Sequence, residues 1–181
     1  MPIETAPGEE AQVDWSDCSE WAIRWGWDHD LWCLGCILCW SRWRMFWFAT
    51  SIDREHTFEG MVRFFEAAGI PQAVRIDRMG ALGRSQGKRF SLHPPTVEFA
   101  THHQIEVIAC WPGDAQRKGK VERPFHYVES NLLNGRTFRS LEHLNEVTAW
   151  WLAEVADVRV HRGTKKRPLD LHAEEQPHLI P

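Results

Sequence analysis

Three carboxylates stand at positions where oxygen ligands for a hard cation could converge. Asp14 lies within residues 11–15, which alternate in the manner of a strand with Val13 facing opposite to Asp14. An apolar residue or a threonine would suit such a position better, so an acid there calls for a reason. Asp77 closes a second short apolar stretch, residues 73–77, and ligands of open α/β sheets collect at the carboxyl ends of strands. Glu122 sits inside the basic run from Arg117 to Arg123, at the start of a helix. Between Asp14 and Asp77 lie 62 residues, and between Asp77 and Glu122 lie 44. A strand-borne Asp, a strand-end Asp and a helix-borne Glu can meet at one point and hold two hard cations through oxygen. By residue type alone, each could equally be a helix cap or a member of a surface ion pair.

The elements that would position these acids follow from patterning. Residues 31–40 and 43–51 are two apolar, aromatic runs split by Ser41-Arg42, which predicts an antiparallel hairpin. Asp53 is a helix N-cap candidate, and Phe58, Met61, Val62, Phe65 and Ala68 recur at helical spacing until Gly69 and Pro71. Residues 78–93 are glycine-bearing, basic and aperiodic, which predicts a loop. A helix over 95–103, a strand over 106–110, a loop over 111–118 and helices over 120–133 and 140–156 complete the reading. The order is three strands, helix, strand, helix, strand and two helices, an α/β layout with a mixed sheet flanked by helices. A lead-in (1–10), a core (11–157) and a basic, then Pro-rich, loose tail (158–181) are the expected divisions.

Other reactive residues have plainer readings. Cys33, Cys36 and Cys39 form a CxxCxxC, but residues three apart on a strand face opposite ways, so buried free thiols are expected rather than a zinc or iron site. Asp17, Asp53 and Asp157 are spare acids, expected as caps or surface residues, with Asp17 the first substitute ligand. His102-His103 suits a helix end near solvent. Eleven tryptophans, eight of them before residue 50, fit a core at strand spacing better than a set of base-stacking platforms.

At 181 residues the chain suits one domain. Its net charge of −4 is not that of an obvious nucleic-acid binder. The basic residues nevertheless cluster at 84–89, 117–123 and 159–167, and local patches govern contact with a polyanion. Five cysteines, no signal-peptide pattern and no apolar run long enough for a bilayer point to a cytoplasmic protein with no membrane partner.

Three blocks carry a family resemblance: Gln12-Val13-Asp14-Trp15, Ile76-Asp77-Arg78-Met79-Gly80 and Lys118-Gly119-Lys120-Val121-Glu122-Arg123. Together they resemble the catalytic blocks of IstA-type insertion-sequence transposases, within the retroviral-integrase-like (DDE) superfamily. Thr50-Ser51, Val160-His161-Arg162 and Arg167-Pro168 match as well, so the resemblance runs over nearly the whole chain. It implies an RNase H-like fold with a five-stranded sheet. It further implies Mg2+-dependent DNA cleavage and strand transfer, with Asp14, Asp77 and Glu122 as catalytic metal ligands and Mn2+ as a possible substitute ion. Lys118, Lys120 and Arg123 are candidate contacts to DNA phosphates. A homo-oligomer assembled on transposon ends and target DNA, and a helper AAA+ ATPase, are the implied partners. Where many relatives carry Asn after the second Asp, this chain has Arg78. Pro124 requires that the Glu-bearing helix start no earlier than about Lys120. Relatives also carry a helix-turn-helix part upstream and a further domain downstream, so an isolated core is expected here. The rival readings are a catalytically inactive DNA- or partner-binding remnant and another RNase H-like nuclease that cuts without joining.

Overall fold

A computed structural model describes residues 4–111 and 124–181. In chain order the first elements are β1 (Glu10–Asp17), α1 (Ser19–Arg24), β2 (Trp32–Leu38), β3 (Arg44–Ala49), α2 (Arg54–Ala68) and β4 (Ala73–Ile76). There follow β5 (Gly83–Gln86), β6 (Arg89–Leu92), α3 (Pro94–His103) and β7 (Glu106–Ala109). From residue 124 the chain is helical (α4, residues 124–128), running into a π turn over Glu129–Leu133. Helix α5 (Leu141–Trp151) likewise ends in a π turn, Leu152–Ala156, and α6 (Pro168–Glu175) lies near the C-terminal end.

The sheet is five-stranded and mixed, in the order β3-β2-β1-β4-β7. β1 pairs antiparallel with β2 and parallel with β4, while β4 pairs parallel with β7. This is the mixed sheet expected, with its antiparallel part first. Each face buries its own cluster. Val13, Leu34, Cys36, Val74 and Ile76 pack against Met61, Phe64 and Phe65 of α2 on one side. On the other, Cys33, Phe46 and Phe48 pack against Phe125, Leu132, Leu144 and Trp151 of α4 and α5. Cys33 and Cys36 therefore do face opposite ways, as the strand reading requires. Cys39 lies in the turn beyond β2, not on the strand, with its thiol beside the Glu10 carboxylate.

Helix α2 shows how local chemistry sets these layers. The Asp53 carboxylate accepts from the His56 N–H (2.9 Å) and so caps the helix, which pulls the acid down to about 2. Met61, Phe64, Phe65 and Ala68 then fall on one stripe and are buried. Each such aromatic contributes roughly 2–3 kcal/mol by leaving water. Gly60 lets the helix close on the sheet, since a Cβ there would collide with Leu34 and Trp47. Tryptophans serve packing in the same way. Trp15, Trp43 and Trp47 lean on one cluster, and Trp21, Trp25 and Trp27 lean on the other.

Three stretches differ from the sequence expectations. Residues 19–24 form a short helix inside a Trp-rich segment that reads as loop. Residues 83–92 form a two-stranded hairpin where composition predicts a loop, because its strands are short, polar and exposed and so lack an alternating signal. The segment after 157, expected as a loose tail, carries α6 docked on the core. Pro168, Leu171, His172 and Glu175 are buried. The His172 Nε2–H donates to the Ala68 carbonyl (2.9 Å), and its ring stacks on Trp43. Four inward positions on an eight-residue helix are too few to register as periodicity.

Glu175 anchors this docking. It is fully buried, and its carboxylate accepts from the Gly8 N–H (2.9 Å) and the Ser41 N–H (3.3 Å), tying the first and last segments to the β2–β3 turn. Glu175→Ala should therefore strand two buried donors and cost about 3 kcal/mol, or roughly 10 °C in Tm. Glu175→Gln, which keeps an acceptor, should lose much less. Equal losses for the two in thermal melts would show that volume, not hydrogen bonding, holds α6.

Candidate active site

The strand register sets the site. Val13 of β1 is opposite Ile76 of β4 in the parallel pair, so Asp14 and Asp77, one residue further on each chain, come next to each other. Adjacent strands are about 4.8 Å apart. Both acids fall on the sheet face shared by Glu10 and Arg75, whose side chains meet in a two-pronged pair (2.8 and 2.8 Å) a few residues back on the same two strands. Each carboxylate is held by its own chain. Asp14 Oδ1 accepts from the Trp15 N–H (2.8 Å) and Asp77 Oδ1 from the Arg78 N–H (3.0 Å). The Trp15 indole is fixed in turn by donating to Thr57 Oγ1 (3.1 Å).

The same row continues across the sheet. Asp14 pairs with Gly35, and Gly35 pairs with Phe46. On the far side, the Cys110 N–H donates to the Ile76 carbonyl (2.9 Å), which carries the β7 ladder up to the level of Asp77. Gly35 has a packing reason to be glycine. A Cβ there would come within 2.9 Å of the Phe125 ring, which lies over it and 5.9 Å from the ring of Phe46. The described part of α4 is thus seated next to Asp14, on the face that carries the acids.

Arg78, which stands where many relatives carry Asn, is a brace. Its guanidinium donates to the carbonyls of Gly87 (2.8 Å), Lys88 (2.7 Å) and Cys110 (3.3 Å). It thereby ties the β5–β6 turn to the end of β7.

Glu122, Lys118, Lys120 and Arg123, and the loop expected over 111–118 beyond its first residue, lie outside the described residues. Among the described residues no group of three His, Cys, Asp or Glu side chains could hold a metal ion. The donor set that is described, two neighbouring carboxylates on adjacent strands, is hard oxygen and fits Mg2+ or Mn2+ rather than a thiol-seeking ion. Of the spare acids, Asp53 is the cap just described, and Asp17 Oδ1 accepts from the Ser19 N–H beside α1. Asp157 departs from expectation. It is buried, not on the surface, and its Oδ1 meets no partner among the described residues. Sequence reading also missed Gly35, Phe125, Arg44 and Tyr127. An isolated glycine inside an otherwise apolar strand was the available signal for the first.

Burial pushes the Asp157 carboxyl up to about 6, partly offset by the Arg44 guanidinium. The folded value lies above the unfolded one, so this acid favours folding most at low pH and loses that contribution as pH rises from about 4 through 6. Asn does not titrate. Asp157→Asn should therefore gain stability relative to wild type by about 2 kcal/mol between pH 4 and pH 7. Urea melts at both pH values measure this. A constant difference would place the Asp157 carboxyl in the ordinary acid range.

A mixed five-stranded sheet in the order β3-β2-β1-β4-β7, with a helical layer packed on each face, is the RNase H-like fold of integrase cores. Solved structures share that fold. A simian T-cell lymphotropic virus intasome chain superposes with a TM-score of 0.66 at 14% identity, covering 92% of this chain and 54% of that one. The HTLV-2 integrase catalytic core domain in complex with magnesium gives 0.60 at 13% identity, covering 92% and 97%. Residues 103–168 match the family described as Integrase core domain. The protein assigned as transposase of insertion sequence element IS5376 in Geobacillus stearothermophilus is 36% identical over 186 residues, covering 98% of this chain and 45% of its own length. The transposase of insertion sequence element IS21 in Pseudomonas aeruginosa is 35% identical over 136 residues, 74% of this chain and 35% of that protein. The chain belongs to the integrase-core family, among the transposases of insertion sequences. It spans less than half the length of these relatives.

Proposed function

We propose that this chain is the catalytic core of a DNA transposase, in which Asp14, Asp77 and Glu122 hold Mg2+ for phosphodiester cleavage and strand transfer. One observation carries the reading: Asp14 and Asp77 sit side by side on adjacent strands, and Phe125, three residues after Glu122, rests over the Gly35 that pairs with Asp14. Bound divalent cations would supply charge neutralisation at the reacting phosphate and lower the pKa of attacking water.

The chain's own residues do the positioning. Backbone N–H bonds on adjacent strands fix two carboxylates, and the packing of Phe125 favours the third arriving on the same face. In cleavage, a water oxygen attacks phosphorus as the bond to the 3′ oxygen breaks, leaving a 3′-hydroxyl on the element end. In joining, that hydroxyl attacks a target phosphodiester and displaces the target's 3′ oxygen. Neither step needs a covalent enzyme intermediate. Lys118, Lys120 and Arg123 would contact flanking phosphates. A homo-oligomer on transposon ends and target DNA, aided by an AAA+ ATPase, completes the proposal.

The test is twofold. Mn2+ binding by the purified chain, read by calorimetry, should be lost in the Asp14→Asn/Asp77→Asn double variant. Supercoiled plasmid should be nicked with Mg2+ or Mn2+ but not with EDTA. A chain that binds no divalent ion would be the inactive remnant instead. Nicking without joining of a pre-cut end would point to a different RNase H-like nuclease.

A further inference from the structure

Beside the acids, cationic side chains gather around one basin. Arg44 opens β3 on the sheet face that carries Asp14, and its guanidinium stacks over Tyr127 of α4 at 5.1 Å. With Arg159, His161 and Arg162, from the turns between α5 and α6, it lines a basin of about 560 Å³ whose wall, among the described residues, has no acid. An adjoining basin of about 470 Å³ shares His161 and adds Arg42 and Glu4. This arrangement leaves one donor unmatched. Arg44 Nε is buried and meets no hydrogen-bond partner among the described residues. Such a donor is costly unless something accepts from it.

His161 is set up in the same sense. Its Nδ1 accepts from the Gly163 N–H (3.1 Å) and the Thr164 N–H (3.4 Å), so the neutral ring carries its proton on Nε2 and has a donor to offer. Burial, then Arg42 and Arg44, hold this imidazole below its ordinary range. The neighbouring acid that faces Arg44 is Asp157, itself buried outside the wall. The location is informative. Arg44 pairs with Ile37 on β2, two residues and two strands from Asp14, a separation on the order of 10 Å. Tyr127 follows two residues after the Phe125 that lies over Gly35.

We propose that this basin seats a backbone phosphate of the DNA strand being processed, a few nucleotides from the bond that is cut. Arg44 and Tyr127 form its floor, and Arg159, His161 and Arg162 form its rim. A phosphodiester supplies the acceptor that Arg44 Nε lacks and the counter-charge that the rim lacks. The inference rests on the reading of the chain as a DNA-processing core.

Arg159 and Arg162 are exposed, so Arg159→Gln/Arg162→Gln should fold normally. The equally exposed pair Arg136→Gln/Arg139→Gln removes the same charge elsewhere. A short fluorescent duplex is titrated in EDTA, which separates binding from catalysis. The rim variant should bind about tenfold more weakly and show a salt slope smaller by about 0.9 per phosphate lost. The control should shift affinity less than about twofold, within the range of an exposed charge. The ring signal of His161, followed by NMR, should titrate at higher pH once duplex is added. Equal weakening by the two pairs, or none by the rim pair, overturns the basin while leaving metal binding and nicking untouched. A His161 shift with inorganic phosphate that duplex neither reproduces nor competes away assigns the basin to a free anion, and overturns it too. A wild-type chain that ignores duplex altogether sinks the DNA reading with it.

Discussion

Asp14→Asn and Asp77→Asn are each expected to reduce metal-dependent nicking by about 10³-fold or more, with little change in fold. Each substitution removes one negative charge from the oxygen set and keeps the side chain's shape. Metal ions contribute several kcal/mol of charge stabilisation to such reactions, and every 1.36 kcal/mol is tenfold in rate. Glu122→Gln should behave alike, being the third proposed ligand. The contrast is Asp53→Asn. Asp53 caps α2 and contributes no ligand to the neighbouring acids of β1 and β4. Asn keeps the capping acceptor and loses only the charge, so this change should cost less than about 1 kcal/mol of stability and leave nicking near wild type. Plasmid nicking rates and melting curves for all four variants give the comparison. If Asp53→Asn and Asp77→Asn lower nicking equally while both stay folded, the assignment of the acids is wrong.

Phe125→Ala should give the largest loss of stability. Phe125 is 8% exposed, lies over Gly35 and joins the cluster of Phe46, Leu132 and Leu144. Emptying such a site costs about 3–5 kcal/mol, which lowers Tm by roughly 10 °C in a chain of this size. A second effect separates this residue from an ordinary core position. The ring seats α4 against the sheet three residues after Glu122, so nicking should fall even at temperatures where the variant remains folded. Leu144→Ala represents the loss of core packing alone, and it should destabilise without a matching loss of activity below its own Tm. If Phe125→Ala nicks at the wild-type rate while folded, the approach of α4 to Asp14 does not depend on this contact.

Sequence by itself determined the elements whose signals are local and repeated. The Asp53 cap and the apolar stripe after it define α2. The paired aromatic runs define β2 and β3, and the short runs ending near Asp14 and Asp77 define β1 and β4. Asp14 stood out as a candidate too, because an acid within a strand contradicts what strands ordinarily hold. What the sequence leaves open is partnership. The parallel register that sets Val13 against Ile76, and hence Asp14 beside Asp77, joins residues 63 positions apart. No local pattern encodes that pairing, since it depends on both strands burying the same face against α2. The hairpin held by Arg78, the docking of α6 through Glu175, and the gathering of Arg44 with Arg159, His161 and Arg162 have the same origin. Each joins side chains far apart in sequence, on elements too short or too polar to announce themselves. Only the closing of the sheet and its two helical layers brings them together, because the free energy that favours those contacts comes from burial shared across the whole fold.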